Sequence, residues 1–149
     1  MLWRSTEVQI NIRATGICGS DIHYYHAGRI GTRVLDPKKP MVLGHESSGI
    51  VTALGEGVSK VKIGDRVAIE PGRSCDKCER CKEGRYNLCY DMHFAGSLML
   101  GPNHGSLRRF ACFPEHLCHL YVLRKRGVAL KPCHKPLIIL FCAIECLKK

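Results

Sequence analysis

Polar and apolar positions alternate strictly through Glu7-Val8-Gln9-Ile10-Asn11-Ile12-Arg13. A period of two gathers the apolar side chains on one side of an extended chain, so this segment reads as a half-buried strand. Thr15-Gly16 ends it, and a loop carrying Cys18 follows. A short helix is expected over Asp21 to His26, capped by Ser20 or Asp21. Ala27 to Pro40 mixes Gly, Pro and charge and reads as a surface loop. Met41-Val42-Leu43 leads into Gly44-His45-Glu46, and Ser48 to Gly55 is a strand stopped by a Gly turn. Val58 to Ile63 is another extended piece, Gly64-Asp65-Arg66 a turn, and Val67 to Pro71 a strand ended by proline. Short strands with Gly turns at this spacing predict a mainly β chain closed as a small barrel.

Two clusters of ligand-type residues sit on this frame. Cys18, His45 and Glu46 offer a thiolate, an imidazole and a carboxylate, the protein ligand types that zinc accepts. Three protein ligands leave a fourth position open, which is the catalytic kind of site. His45 and Glu46 are neighbours, while Cys18 lies 27 residues earlier. Further on, Cys75, Cys78, Cys81 and Cys89 form C-x2-C-x2-C-x7-C. Four thiolates close a tetrahedral site, the structural kind, and the metal would order a loop that has little apolar material. An iron–sulfur cluster is the rival for such spacing. That pattern wants a closer fourth Cys followed by Pro, whereas Tyr90 follows Cys89. His23, His26, His93 and His104 are expected to be surface or loop histidines.

Composition narrows the class. The chain has 149 residues, 45% hydrophobic and 24% charged, enough for one domain with a buried core. Its formal charge of +10 is concentrated at one end: Tyr121 to Lys149 holds seven Lys and Arg against Glu145 alone. No basic stripe interleaved with aromatics accompanies it, so nucleic acid is not an expected partner. Ten cysteines without a secretory leader argue for metal ligands in a reducing compartment, the cytoplasm. The longest apolar run, Leu137 to Ile144, is eight residues, against the ~20 needed to span a bilayer, so no membrane partner is expected either.

Gly16-Ile17-Cys18-Gly19-Ser20-Asp21-Ile22-His23-Tyr24, Gly44-His45-Glu46-Ser47-Ser48-Gly49, Gly64-Asp65-Arg66-Val67-Ala68 and the four clustered cysteines resemble the zinc-dependent medium-chain alcohol dehydrogenases. His23-Tyr24, Ile69-Glu70-Pro71-Gly72 and Gly84 to Cys89 are most similar to the polyol branch, the sorbitol, xylitol and L-arabinitol dehydrogenases. The resemblance runs from about Glu7 to His119. It implies a GroES-like β-barrel catalytic domain over residues 1–120, with a structural zinc lobe at about 71–92. It also implies NAD-linked oxidation of a secondary alcohol of a sugar alcohol to a ketose, in an oligomer. By position, Cys18, His45 and Glu46 match the catalytic zinc ligands and Cys75, Cys78, Cys81 and Cys89 the structural ones. Ser20 matches a proton-relay hydroxyl, and Tyr24 and Phe94 match residues lining the substrate pocket.

The resemblance fades after Leu120. No G-x-G-x-x-G phosphate turn occurs, so a Rossmann domain is expected to be absent and the NAD contacts with it. Leu130-Lys131-Pro132 stands where relatives carry a Glu-Pro motif, which sets a cation in place of a carboxylate. Residues 121–149 are expected to be a divergent basic tail, read past a truncation or from a shifted frame, or else a genuine tail docked on the barrel. Two function classes follow: the catalytic half of a polyol dehydrogenase, inactive alone, or a zinc-binding module without catalysis.

Overall fold

A computed structural model describes residues 5–124 and 127–130. Lys131, the Leu137 to Ile144 run and most of the basic tail lie outside the described residues.

The alternating segment is strand β1 (Glu7–Gly16), and Val8 and Ile10 are completely buried. Strand β4 (Glu46–Leu54) pairs antiparallel along its length, and β8 (Phe110–Pro114) pairs on its other edge. Helix α1 (Gly19–Ala27) and the two-residue strands β2 (Arg29–Ile30) and β3 (Arg33–Val34) stand between β1 and β4. Strand β5 (Arg66–Ile69) joins β4, β9 (Cys118–Arg124) joins β5, and β10 (Gly127–Leu130) joins β9. The main sheet therefore runs β10-β9-β5-β4-β1-β8, and every ladder among the described residues is antiparallel. A separate hairpin pairs β6 (Gly72–Arg73) with β7 (His93–Phe94), bracketing the four-cysteine segment.

One cluster forms the core: Val8, Ile10, Val51, Val67, Ile69, Phe113 and Cys118, with Val61 and Ala95 among others. Its members come from β8 at one end of the sheet and from β9 near the other. The sheet must therefore curl around them, as a barrel wall does. Burying each large aliphatic side chain contributes about 1.5–3 kcal/mol. Strand β9 runs through residue 120, the expected end of the domain. No described helix is long and apolar enough to cross a membrane.

Three local expectations change. The helix begins two residues early, and its N-cap is Cys18, not Ser20 or Asp21. Asp21 is the third helical residue, and its carboxylate reaches back to the Cys18 N–H at 3.1 Å, one half of a capping box. Val58 to Ile63 joins no ladder. The buried Glu115 carboxylate accepts the Ser59 N–H at 2.6 Å and also the Lys60 N–H, so these donors are lost to a neighbouring strand. The strand expected from Ser48 starts earlier, at Glu46.

Candidate metal centre

Four sulfur atoms meet first. Cys75, Cys78, Cys81 and Cys89 lie on a loop folded by a single helical turn, α2 (Glu79–Lys82), and a 3-10 turn over Tyr86–Leu88. Cys78–Cys81 and Cys75–Cys89 are 3.5 Å apart, Cys78–Cys89 3.8 Å and Cys75–Cys81 4.0 Å. These separations exceed a disulfide bond by far. They match the edges of a tetrahedron with Zn–S near 2.3 Å, about 3.8 Å each. The backbone already favours charge on sulfur: the Cys78 N–H donates to Cys75 Sγ and the Cys75 N–H to Cys89 Sγ, both at 3.4 Å. Backbone donors at Lys77 and Cys78 pull the Cys75 thiol down to about 6. Desolvation and the adjoining thiols push Cys81 up to about 12. One thiol gives up its proton and its neighbour resists, as like charges in contact must. A cation among them is what allows all four to ionise.

The second cluster is assembled from three local structures. Cys18 caps α1, His45 ends the loop before β4, and Glu46 is the first residue of β4. One ligand atom from each lies within 4.8 Å of the others. Bonds of 2.0–2.3 Å to one ion would draw such atoms to roughly 4 Å of one another, a separation that falls within this bound. Gly16 faces Glu46 across the β1–β4 ladder, and a Cβ there would stand 2.6 Å from Glu46 Oε2. The glycine thus leaves room for the carboxylate. Gly44 takes φ +85°, and a Cβ on it would meet the Leu107 backbone nitrogen at 2.9 Å. The 42–44 segment is held by backbone bonds from Gly105 to Val42, Ser106 to Gly44 and Leu107 to Leu43.

Asp21 ties the pieces together. It is 3% exposed, and its Oδ1 accepts the Gly44 N–H at 2.8 Å while Oδ2 accepts the Cys18 N–H. One carboxylate therefore fixes the backbone beside two of the three ligands. Asp21 Oδ1 also lies 3.7 Å from His45 Nδ1, beyond hydrogen-bond length. His45 is 6% exposed, and this Nδ1 has no partner. A buried ring nitrogen without a partner is one that a bound metal ion would satisfy. The donor set and the orphaned nitrogen both fit zinc.

Of the remaining expected residues, one touches this cluster. Phe94 packs edge-on against the His45 ring, with centroids 5.2 Å apart. Tyr24 is 3% exposed, and its hydroxyl accepts the Leu98 N–H at 3.3 Å, tying α1 to the loop after Phe94. Ser20 lies in the first turn of α1, half-buried. His23 and His26 are exposed, as expected. His104 is exposed in a loop, as expected, and its Nδ1 accepts the Val42 N–H at 3.3 Å, whereas His93 is half-buried in β7 with its Nδ1 3.1 Å from Asn103 Oδ1.

Sequence patterns did not point to Asp21 as a link between ligands. Its one signal was its place three residues after Cys18, where a capping box puts a carboxylate. A buried hydroxyl chain was also missed: Ser47 Oγ meets Thr15 Oγ1 at 2.8 Å and Ser106 Oγ at 2.5 Å, beside Glu46. So was the pair His119 Nε2 to Glu70 Oε2, 2.8 Å apart, which pins β9 to the end of β5.

Comparison with known proteins agrees with this geometry. The alcohol dehydrogenase GroES-like domain model matches residues 4–122. A probable D-xylulose reductase A of Aspergillus terreus is 53% identical over 112 residues, 75% of this chain and 30% of that protein. The D-xylulose reductase A of Aspergillus oryzae is 50% identical over 113 residues, 76% and 30%. Among solved structures, L-idonate 5-dehydrogenase from Escherichia coli superposes with a TM-score of 0.72 at 37% identity, covering 80% of this chain and 34% of that one. The chain thus spans about 30% of the length of the curated relatives it matches. By its fold, its two ligand clusters and its sequence, the chain belongs to the alcohol dehydrogenase GroES-like domain family.

Proposed function

We propose that this chain forms the zinc-binding catalytic domain of an oxidoreductase acting on a secondary hydroxyl of a sugar alcohol, with NAD as hydride acceptor. The observation that carries it is the approach of Cys18 to the neighbouring His45 and Glu46, 27 residues away, with one ligand atom of each within 4.8 Å of the others. An intact open ligand set favours catalysis over a purely structural zinc module. Zinc held by these residues supplies Lewis acidity toward an alcohol oxygen. Around it the chain positions and desolvates. Asp21 holds the backbone of Cys18 and Gly44, and Phe94 gives the His45 ring an apolar wall. Tyr24 fixes the loop that borders the substrate, and Ser20 accepts the hydroxyl proton and passes it outward.

Cys75, Cys78, Cys81 and Cys89 hold a second, structural zinc in a lobe at about 71–92, and the catalytic domain covers residues 1–120. Two relatives' names, D-xylulose reductase and L-idonate 5-dehydrogenase, support a polyol substrate. Free thiols at the described cysteines support a reducing compartment, the cytoplasm. No Gly-rich phosphate turn occurs in the sequence, so a separate dinucleotide-binding domain holds the NAD.

Joining a relative's cofactor domain after about Leu120 tests the reading. NAD reduction with xylitol or sorbitol should appear and should vanish with Cys18→Ala. Turnover that survives Cys18→Ala, or a well-folded fusion with no turnover on any polyol, would defeat it.

A further inference from the structure

A cleft between the β6–β7 hairpin and β8 plays no part in the function above. Its volume is about 230 Å³, and its walls include Arg73, His93, Asn103, His104, Cys112 and Glu7. None of Cys18, His45 or Glu46 lines it.

Arg73 and His93 are direct partners in the β6–β7 ladder, so their side chains share one face. Arg73 is half-buried and makes no ion pair or side-chain hydrogen bond among the described residues. A guanidinium is permanently charged and presents five donors, so a half-buried one without an acceptor favours an anion. The imidazoles have defined tautomers. Asn103 Nδ2 donates to the Gly101 carbonyl at 2.9 Å, which leaves Oδ1 as the acceptor and His93 Nδ1 as the donor. His104 Nδ1 accepts from Val42, so Nε2 carries the proton and remains a donor. Two carboxylates stand near. Asp91 Oδ1 lies 3.6 Å from His93 Nε2, and Glu7 lines the cleft from β1 with a partner of its own. Neither pairs with Arg73.

We propose that this cleft binds a phosphate group, free or as a small monoester, with Arg73 as its principal ligand and His104 Nε2–H as a second donor. Donors that come from a hairpin and from a separate loop suit a tetrahedral oxyanion better than a planar carboxylate, which one guanidinium fork satisfies. The volume is below the roughly 300 Å³ at which drug-sized pockets begin, so the ligand is a phosphate with at most a few carbons. The proposal does not depend on the catalytic reading.

The test titrates the zinc-loaded 149-residue chain with inorganic phosphate at constant ionic strength. It follows the ring resonances of His93 and His104, which separates the cleft from any phosphate at the metal cluster. Both should shift saturably, with a midpoint of the order of 1 mM. Glycerol 3-phosphate should behave alike if a monoester is the ligand, while a flat response to it would restrict the site to free phosphate. Arg73→Gln should raise the midpoint by about tenfold or more, and Arg73→Lys by less, because it keeps the charge without the fork. Arg85→Gln should change nothing, since Arg85 is paired with Glu83 outside the cleft. A linear, unsaturable shift would overturn the proposal. So would acetate acting as well as phosphate, or an unchanged midpoint in a folded Arg73→Gln chain.

Discussion

Asp21→Asn is the most informative single change, because it alters one carboxylate and leaves every metal ligand in place. Asp21 accepts two backbone N–H bonds, from Cys18 at 3.1 Å and Gly44 at 2.8 Å. Asparagine keeps the shape but loses the charge, and it turns one acceptor into an amide NH2 that faces an N–H. A hydrogen bond to a charged group contributes about 1.5–3 kcal/mol, and burial at 3% exposure leaves no water to replace it. At 1.36 kcal/mol per decade this amounts to a factor of about 10–100 in the equilibrium it controls. If the bonds hold Cys18 and the Gly44-His45 backbone in ligand geometry, the loss falls on metal affinity, which is the usual range for outer partners of metal ligands. Competition with a chromophoric chelator on the full chain should resolve two zinc ions. The one lost in Cys18→Ala should weaken about 10–100-fold in Asp21→Asn, while the one lost in Cys78→Ser keeps its affinity. Equal weakening of both sites would mean a general loosening. Unchanged affinity at the Cys18 site would refute the linking role of Asp21.

Three further outcomes are expected. Gly44→Ala should destabilise by about 1–3 kcal/mol in thermal melts, since a Cβ at φ +85° combines backbone strain with a 2.9 Å approach to Leu107 N; an unchanged melting temperature would exclude this. Removing zinc with a chelator should speed amide exchange at Cys75 to Cys89 well before the β1–β4 ladder, because the lobe contributes no residue to the core cluster; simultaneous loss of protection would show that the lobe and sheet are one unit. Burial pushes the Cys118 thiol far above its ordinary value and raises Cys112 to a lesser degree. Fewer thiolates form at pH 8, so both should alkylate more slowly in the folded chain than in denaturant, Cys118 the slower. Rapid native labelling of Cys118 would contradict its buried place.

Some of this protein was legible because the information is local. The alternation at Val8 and Ile10 selects a strand and names its buried face without reference to any other segment. The spacing of Cys75, Cys78, Cys81 and Cys89 suffices to bring four sulfurs within reach, since the loop is too short to place them elsewhere. The donor chemistry of Cys18, His45 and Glu46 is likewise carried by residue type. Tertiary structure decided what joins distant segments. Asp21 bonds to Gly44 23 residues away, Ser47 to Ser106 across 59, and Glu70 to His119 across 49. No period or motif encodes such pairs, because hydrogen bonds between far segments form only after the sheet has curled and closed the loops between them. Val58 to Ile63 illustrates the point from the other side. Its pattern suits an extended strand, but the Glu115 carboxylate, 55 residues beyond Lys60, occupies the donors that a ladder would need.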